Sequence, residues 1–543
     1  MLERYLTQNG RHALTIAAHI LALIIISFIV TYDNKPPGDA ELVSRFLPAA
    51  IEKIEDASLK IQSKVFYQQH NHQTVWHDAL LINSNGRFLI DLLNMAEYEG
   101  LKSQDYIANI KPIHQVQRPV TIAEHDVRLT LAFVKYAQHM RNGRLPKNIL
   151  DNYRPRHPEF INYFDLLKQG IADQKIFAHL YEQAPPHEQY NRLRTALAKL
   201  RQIKQSGGWP ILPTNALLKR GMKDNRVIIL RQRLKISGDL PYASAEAKLF
   251  DQELENAIEQ FQRRHGILVD GIAGGQTLRT LNIPVENRIQ QILINMEHWR
   301  YVQRNFAAKH ILVNAAGFEL IGVKGHREAL NMRVIVGKKD LPTPLFSSQI
   351  THVVLNPEWV VPRSIAVKEI LRYQKTNPNF LTQNQYVLLS GWNENETVIN
   401  PESLNWQQLN DQNFPYHLKK PPGETNPLGR IKFVMPNQHD VYLHDTPHRD
   451  LFDNVFRDLS HGCIRLQHPE KLFEFVFRED STWNQNNLRD ALISNQNLQI
   501  NLAEPVPVYI VYFTTWIESD GRMNFYSDIY QHDNKMSTVL DYI

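Results

Sequence analysis

The chain has 543 residues, 61 Lys+Arg against 56 Asp+Glu, a formal net charge of +5, and 43% hydrophobic and 22% charged residues. Those globular values exclude wholesale disorder and collagen-like repeats, and the length suggests three or four domains. A mild positive charge without a long Lys/Arg block gives no argument for nucleic acid. One cysteine, Cys463, excludes an internal disulfide and a Cys-based zinc cage. No Walker A, HExxH or GxGxxG sequence is present, which argues against ATP hydrolysis, zincin chemistry and dinucleotide binding.

Residues 13–30 form an apolar run of 18, about the minimum for a membrane span. Arg4 and Arg11 precede it and Asp33, Asp39 and Glu41 follow, so the positive-inside bias places the N-terminus in the cytoplasm and the rest outside. The following TYDNKPPGDA has no A-x-A cleavage site, which favours an uncleaved anchor over a removed signal peptide. The expected arrangement is a single membrane pass with the rest of the chain outside the cytoplasm. A lone thiol there must avoid oxidation or be in use.

Residues 31–40 read as a linker and 41–205 as mostly helical. In 127–140, Val127, Leu131, Val134 and Ala137 fall near one helix face, stopped by Asn142-Gly143. His70, His72, His77 and Asp78 are irregularly spaced and read as solvated surface rather than a metal site; no metal and no cofactor are expected. Gly207-Gly208-Trp209-Pro210 is a break, with Trp209 a packing anchor. After it, Phe250, Leu254, Ala257, Ile258 and Phe261 recur at three- and four-residue spacing, predicting an amphipathic helix capped by Gly266. Asp270-Gly271 supplies a turn, and a short helix carries Leu278 and Leu281 as core.

From about residue 308 short β-branched and aromatic runs predict strands: HILVNAAGFELIGV, MRVIVGK, ITHVVLNPEWVVP, RIKFVMP, DVYLHDT and PVYIVYFTTW. Between them, 366–420 is a polar insertion, read as a lid or as a plain surface loop.

The strongest local signal is SHGCIRL, 460–466, with VYLHDTP upstream. A thiol is a weak nucleophile until something favours the thiolate, and an imidazole does that. His461 shares a face with Cys463 if the segment is extended, and either touches the thiol or orders its surroundings. His444, nineteen residues upstream at a strand end, meets it only in space. Gly462 permits a tight turn, and backbone N–H groups around Gly462-Cys463 are candidates for an oxyanion hole. Arg465 holds a substrate carboxylate or pins the loop. Ser460 is a loop-supporting residue, and Tyr442, on the strand of His444, faces the site or the core.

These residues resemble the L,D-transpeptidase (YkuD) family, in which a histidine is followed by a spacer and then [S/T]-H-G-C. Many members carry Asn where this chain has Arg465. VGKKDLPTPLF, NPEWVVPRSI and PPGETNPLGRIKF resemble the family's preceding segments in order. Residues 249–284 resemble the small helical peptidoglycan-binding domain, and the whole resembles the large, membrane-anchored YcbB-type branch. The resemblance implies a multidomain α+β chain. It would comprise a tail and signal-anchor at 1–35, a helical scaffold at 36–225, a peptidoglycan-binding module at 226–285 and a helical return at 286–307. A β-rich catalytic domain at 308–503 and C-terminal strands at 504–543 would complete it.

The resemblance further implies acyl transfer on peptidoglycan tetrapeptide stems. The Cys463 thiolate attacks the carbonyl of meso-diaminopimelate at stem position three, D-Ala leaves, and a neighbouring diaminopimelate amine resolves the thioester into a 3-3 cross-link. His444 is the base and His461 shapes the site. Water as acceptor would make the enzyme an L,D-carboxypeptidase, and a lipoprotein lysine a protein-tethering transpeptidase. A wall-binding scaffold without activity is the non-enzymatic alternative. The implied partners are a penicillin-binding protein and a D,D-carboxypeptidase, with carbapenems as acylating inhibitors.

Overall fold

The structure is a computed structural model that describes residues 38–146, 161–215, 217–240, 246–325, 327–390, 396–479 and 482–540. The apolar run expected as an anchor, 13–30, lies outside them. Among the described residues no helix is long and apolar enough to cross a membrane. The chain divides into two compact units, Met1–Asn142 with Glu159–Ala184, and Gly143–Pro158 with Pro185–Ile543.

The first unit is helical. Its helices α1 (Ala57–Gln69), α2 (Ser84–Asn94) and α4 (Tyr163–Ala172) start where Asp56, Asn83 and Asn162 accept a bond from a first-turn N–H, the usual N-cap chemistry. Helix α3 (Pro119–Asn142) carries fourteen buried residues, including Val127, Val134 and Ala137. Its Asp126 is wholly buried, so its carboxylate needs partners. It accepts from the Tyr67 hydroxyl, the Val75 and Trp76 N–H groups and His77 Nδ1. His77 Nε2 in turn meets His125 Nδ1 at 3.1 Å. His77 is therefore a buried structural residue and not the solvated one expected, because Asp126 draws the 74–77 segment inward. Among the described residues no group of three or more His, Cys, Asp or Glu is placed to hold a metal ion.

The second unit opens with α5 (Glu188–Gln205) and a compact helical module of α6 (Asn225–Ser237), α7 (Gln252–Arg264) and α8 (Gly275–Leu281). Phe250, Leu254, Ala257, Ile258 and Phe261 all face its core, with Leu278 and Leu281 opposite. Gln262 explains why the FQ pair precedes a DG turn. Its buried amide donates to Asp270 Oδ1, Ile272 O and Thr277 Oγ1, and its oxygen accepts from the Asp270 and Gly271 N–H groups. Helix α9 (Val285–Tyr301) follows.

The β-rich part is a nine-stranded sheet. Its strands are β1 (Lys309–Asn314), β2 (Glu319–Lys324), β3 (Arg327–Gly337), β4 (Ser347–Leu355), β8 (Ile431–Val434), β9 (Leu443–His444), β10 (Asp458–Ser460), β11 (Ile464–Leu466) and β12 (Leu498–Val511). They are ordered β10-β3-β11-β9-β8-β4-β12-β1-β2, and an additional β2–β3 pairing closes the ladder. Ile431, Phe433, Leu443, Ile464 and Leu466 point into the main core. By the two-residue alternation of strands, Lys432, Tyr442, His444 and Arg465 point out of the other face.

The insertion is neither unstructured nor apolar-free. Strands β5 (Trp359–Val360), β6 (Val387–Leu389) and β7 (His417–Lys420) form a separate three-stranded sheet in the order β5-β7-β6. With the helical segments at Ala366–Ile370 and Leu371–Thr376 they enclose an apolar core of their own, including Trp359, Leu371, Leu381, Trp406, Phe414 and Leu418.

Candidate active site

Strands β9 and β11 run parallel, pairing Leu443 with Ile464 and His444 with Arg465. One step back along that register, Tyr442 stands beside Cys463, and the Ile464 N–H donates to Tyr442 O at 3.1 Å. His444 is thus diagonal to Cys463 on one sheet face, within the reach of side chains. Antiparallel β8 adds Lys432 beside His444.

The 460–463 turn is held by its own side chains. The Ser460 hydroxyl donates to Cys463 O at 2.5 Å and accepts from the Gly462 N–H at 3.1 Å. Gly462 has φ +115°, a conformation that disfavours a side chain. From beneath, Thr343 Oγ1 donates to Gly462 O at 2.8 Å and accepts from the Gly337 N–H at 2.9 Å. The Tyr530 hydroxyl donates to Gly337 O at 2.6 Å. A Cβ on Gly337 would lie 2.1 Å from Leu341 O, so this position admits only glycine without a backbone shift. The VGKKDLPTPLF segment is therefore the cradle of the cysteine turn. Gly462 N–H is engaged by Ser460, leaving the Cys463 N–H as the donor of that pair without a hydrogen-bond partner among the described residues.

Tyr442 belongs to the site. It stands beside Cys463, and its backbone N–H and hydroxyl act to lower the thiol's pKa. Burial pushes the thiol up, and the Tyr442 donors, Lys432 and Arg465 oppose that shift. Lys432 Nζ lies 3.9 Å from the centre of the Tyr442 ring, a cation–π contact. Sequence reasoning missed Lys432; the signal was a lone cation in the otherwise apolar IKFV run.

His444 is 5% exposed. Its Nδ1–H donates to Asp445 O at 2.5 Å, so in the neutral ring Nε2 carries the lone pair, and Leu428 O is a second backbone acceptor close to the ring. Burial, then the nearby Arg465 charge, hold its pKa down to about 3, so the ring is neutral at pH 7. No hydrogen bond joins the ring to Cys463 Sγ, whose other contact is Asp440 O at 3.8 Å. Asp445 anchors the chain around the histidine: its carboxylate accepts from the Arg430 and Thr446 N–H groups and pairs with Arg449. Gly429 leaves the room for it, since a Cβ there would lie 2.3 Å from that carboxyl. This accounts for the NPLGR run.

Arg465 is mostly buried, its Nε has no hydrogen-bond partner, and among the described residues no carboxylate pairs with it. It does not pin the loop through a bond of its own. His461 turns to the insertion, its Nε2 2.6 Å from Glu369 Oε1, and not to the sulfur. Tyr442 also packs against the apolar core of the insertion.

Three stretches of the chain match known domain families: a scaffold domain at 62–197, a putative peptidoglycan-binding domain at 223–281, and the YkuD L,D-transpeptidase catalytic domain at 308–485. A curated relative from Haemophilus influenzae, named a putative L,D-transpeptidase, is 29% identical over 359 residues, 63% of this chain and 70% of its own length. Among solved structures, an L,D-transpeptidase from Xylanimonas cellulosilytica is 14% identical, with a TM-score of 0.18 over 55% of this chain and 98% of its own. One from Stackebrandtia nassauensis is 13% identical, with a TM-score of 0.21 over 55% and 97%. The family matches and the curated relative carry the assignment. The cysteine turn, its cradle and the histidine strand all lie inside the matched catalytic stretch, and the chain carries a YkuD L,D-transpeptidase catalytic domain joined to a peptidoglycan-binding domain.

Proposed function

We propose that this enzyme cross-links peptidoglycan by 3-3 bonds between meso-diaminopimelate residues, through a thioester on Cys463. The observation that carries the reading is the setting of one thiol beside Tyr442, a neutral His444 and an unpaired Arg465. His444 Nε2 takes the thiol proton, and the sulfur attacks the carbonyl carbon of diaminopimelate at stem position three. The oxyanion forms near the Cys463 N–H. Collapse breaks the amide bond, and the imidazolium returns the proton to the departing D-Ala amine. The acceptor amine then attacks the thioester, gives a proton to His444 and releases the thiolate.

Arg465 is the receptor for a stem carboxylate in this reading. A buried guanidinium without a partner is costly, and a substrate carboxylate removes that cost. It also offsets the Arg465 charge, which after burial is the second cause of His444's low pKa, so binding of substrate makes the imidazole a somewhat stronger base. The insertion excludes water from the thioester, which favours amine over hydrolysis. The 13–30 segment serves as an inner-membrane anchor with the catalytic part in the periplasm, the arrangement of the YcbB-type branch. A D,D-carboxypeptidase would supply the tetrapeptide donor and a penicillin-binding protein the glycan strands. Carbapenems would acylate the same sulfur.

The test is incubation with purified disaccharide-tetrapeptides and mass analysis of the products, with Cys463→Ala as control. The expected product is a dimer that has lost one D-Ala and is absent with the variant. Tripeptide monomer alone would replace this reading with an L,D-carboxypeptidase. No turnover and no carbapenem adduct on folded protein would leave a wall-binding scaffold.

A further inference from the structure

Away from the thiol, the helical module holds an excess of buried positive charge. Arg233 of α6, Arg264 of α7 and Arg288 of α9 line one cavity of 20 Å³, with the stem of Lys199 from α5 at its edge. All three guanidiniums are on residues no more than 9% exposed. Asp239, also buried, is taken up by Arg264: it accepts from Nε and Nη2 at 2.5 Å each. That leaves Arg233 and Arg288 with no carboxylate partner among the described residues. Arg233 donates through Nε to Leu281 O at 2.9 Å and stacks 3.9 Å from the Trp209 ring, while its buried Nη1 has no partner. Arg288 donates through Nη1 to Gln291 at 2.8 Å and lies 4.5 Å from the Phe525 ring.

Stacking on aromatic faces fixes the two guanidinium planes but does not neutralise them. Two buried cations in one cavity, eased at Arg233 by the nearby Asp239 charge, are a large cost unless an anion enters. Burial, then repulsion from Arg264, draws the pKa of both Arg233 and Arg288 down to about 9. The cavity takes the oxygen end of a carboxylate and nothing bulkier. His265, Arg288 and Phe525 are shared with an adjoining groove of 530 Å³ along α9 and the C-terminal segment, which gives a larger ligand room outside.

We infer that Arg233 and Arg288 form a carboxylate-binding site in the peptidoglycan-binding part of the chain, separate from the thiol. The carboxylate comes either from a stem peptide lying in the groove or from a free small anion. The stem source rests on the peptidoglycan reading above; the small-anion source does not.

Calorimetric titration of the full chain, with Cys463→Ala to prevent turnover, distinguishes them. Sodium acetate and disaccharide-tetrapeptide are the two probes, run on that protein and on versions carrying Arg233→Gln or Arg288→Gln. Saturable binding of either probe, weakened about tenfold or more by each substitution, is the expected result, from the strength of a charge-assisted hydrogen bond. Acetate binding identifies a small-anion site; tetrapeptide binding without acetate binding identifies a stem site. Arg233→Lys keeps the charge but not the fork, and reports on the site if the glutamine variants fail to fold. No saturable binding of either probe, or binding that the substitutions leave unchanged, overturns the inference. Cross-linking failure with intact anion binding would count against the catalytic reading alone.

Discussion

Tyr442 stands beside Cys463, just ahead of the strand that carries His444. The placement follows from the parallel register of β9 and β11, which sets the two residues side by side. The Tyr442 N–H and hydroxyl favour the thiolate, against a burial that disfavours it.

The balance predicts how thiol reactivity depends on pH. Because burial wins and the thiol stands above its ordinary value, alkylation of Cys463 by iodoacetamide should climb through the ordinary thiol range without reaching a plateau there. Tyr442→Phe removes a donor and Lys432→Met a cation, so each should move the profile to still higher pH. A plateau near neutral pH in the unaltered protein would contradict this balance.

His444→Gln keeps a hydrogen-bonding side chain near Asp445 O but has no proton to exchange. Cross-linking should fall by roughly 10²–10⁴-fold, the usual worth of a general base. The alkylation profile should change far less, since the neutral ring makes no hydrogen bond to the sulfur. Equal losses in both assays would mean that His444 activates the resting thiol.

The pair of His461 with Glu369 ties the insertion to the cysteine turn. Both side chains are about one-third exposed, so salt screens the pair and its worth is modest. Glu369→Gln should lower cross-linking about two- to fivefold, in line with ~0.5–1 kcal/mol for such a pair. It should raise the share of tripeptide released by water. An unchanged product ratio would separate the insertion from water exclusion.

The cradle should be sensitive to small changes. Thr343→Val removes the hydroxyl that links Gly337 to Gly462 and should cost ~1–3 kcal/mol in urea unfolding. Gly337→Ala drives a Cβ into a backbone oxygen and should slow carbapenem acylation by displacing the turn. Normal acylation in Gly337→Ala would show that the turn is positioned by Ser460 alone.

Glu319 offers a stability test outside the site. Burial, then Glu518, push its carboxyl up to about 7. A carboxyl raised on folding favours the protonated state, so its contribution is present below the unfolded value near 4.5 and is lost as pH rises to about 7. Glu319→Gln, which mimics the protonated form, should raise Tm at pH 8 and leave it nearly unchanged at pH 4. An equal shift at both pH values would point to packing instead of charge.

Much of this protein was legible in the chain itself. Three- and four-residue spacing marked α7 and its core residues, and alternation marked the strands, because each pattern reflects burial of one face. Ser460-His461-Gly462-Cys463 with His444 upstream marked the chemistry, since a thiol, an imidazole and a glycine in a tight turn are a local requirement. Only the tertiary structure decided which side chains meet. Tyr442 joins the sulfur, Lys432 joins Tyr442, and His461 turns to Glu369, ninety-two residues away. Strand register and the packing of an insertion set those contacts, and neither is encoded in the spacing of neighbours along the chain. The unpaired guanidiniums of Arg233 and Arg288 belong to the same class: a charge is plain in the sequence, but the lack of a partner is a property of the folded surroundings.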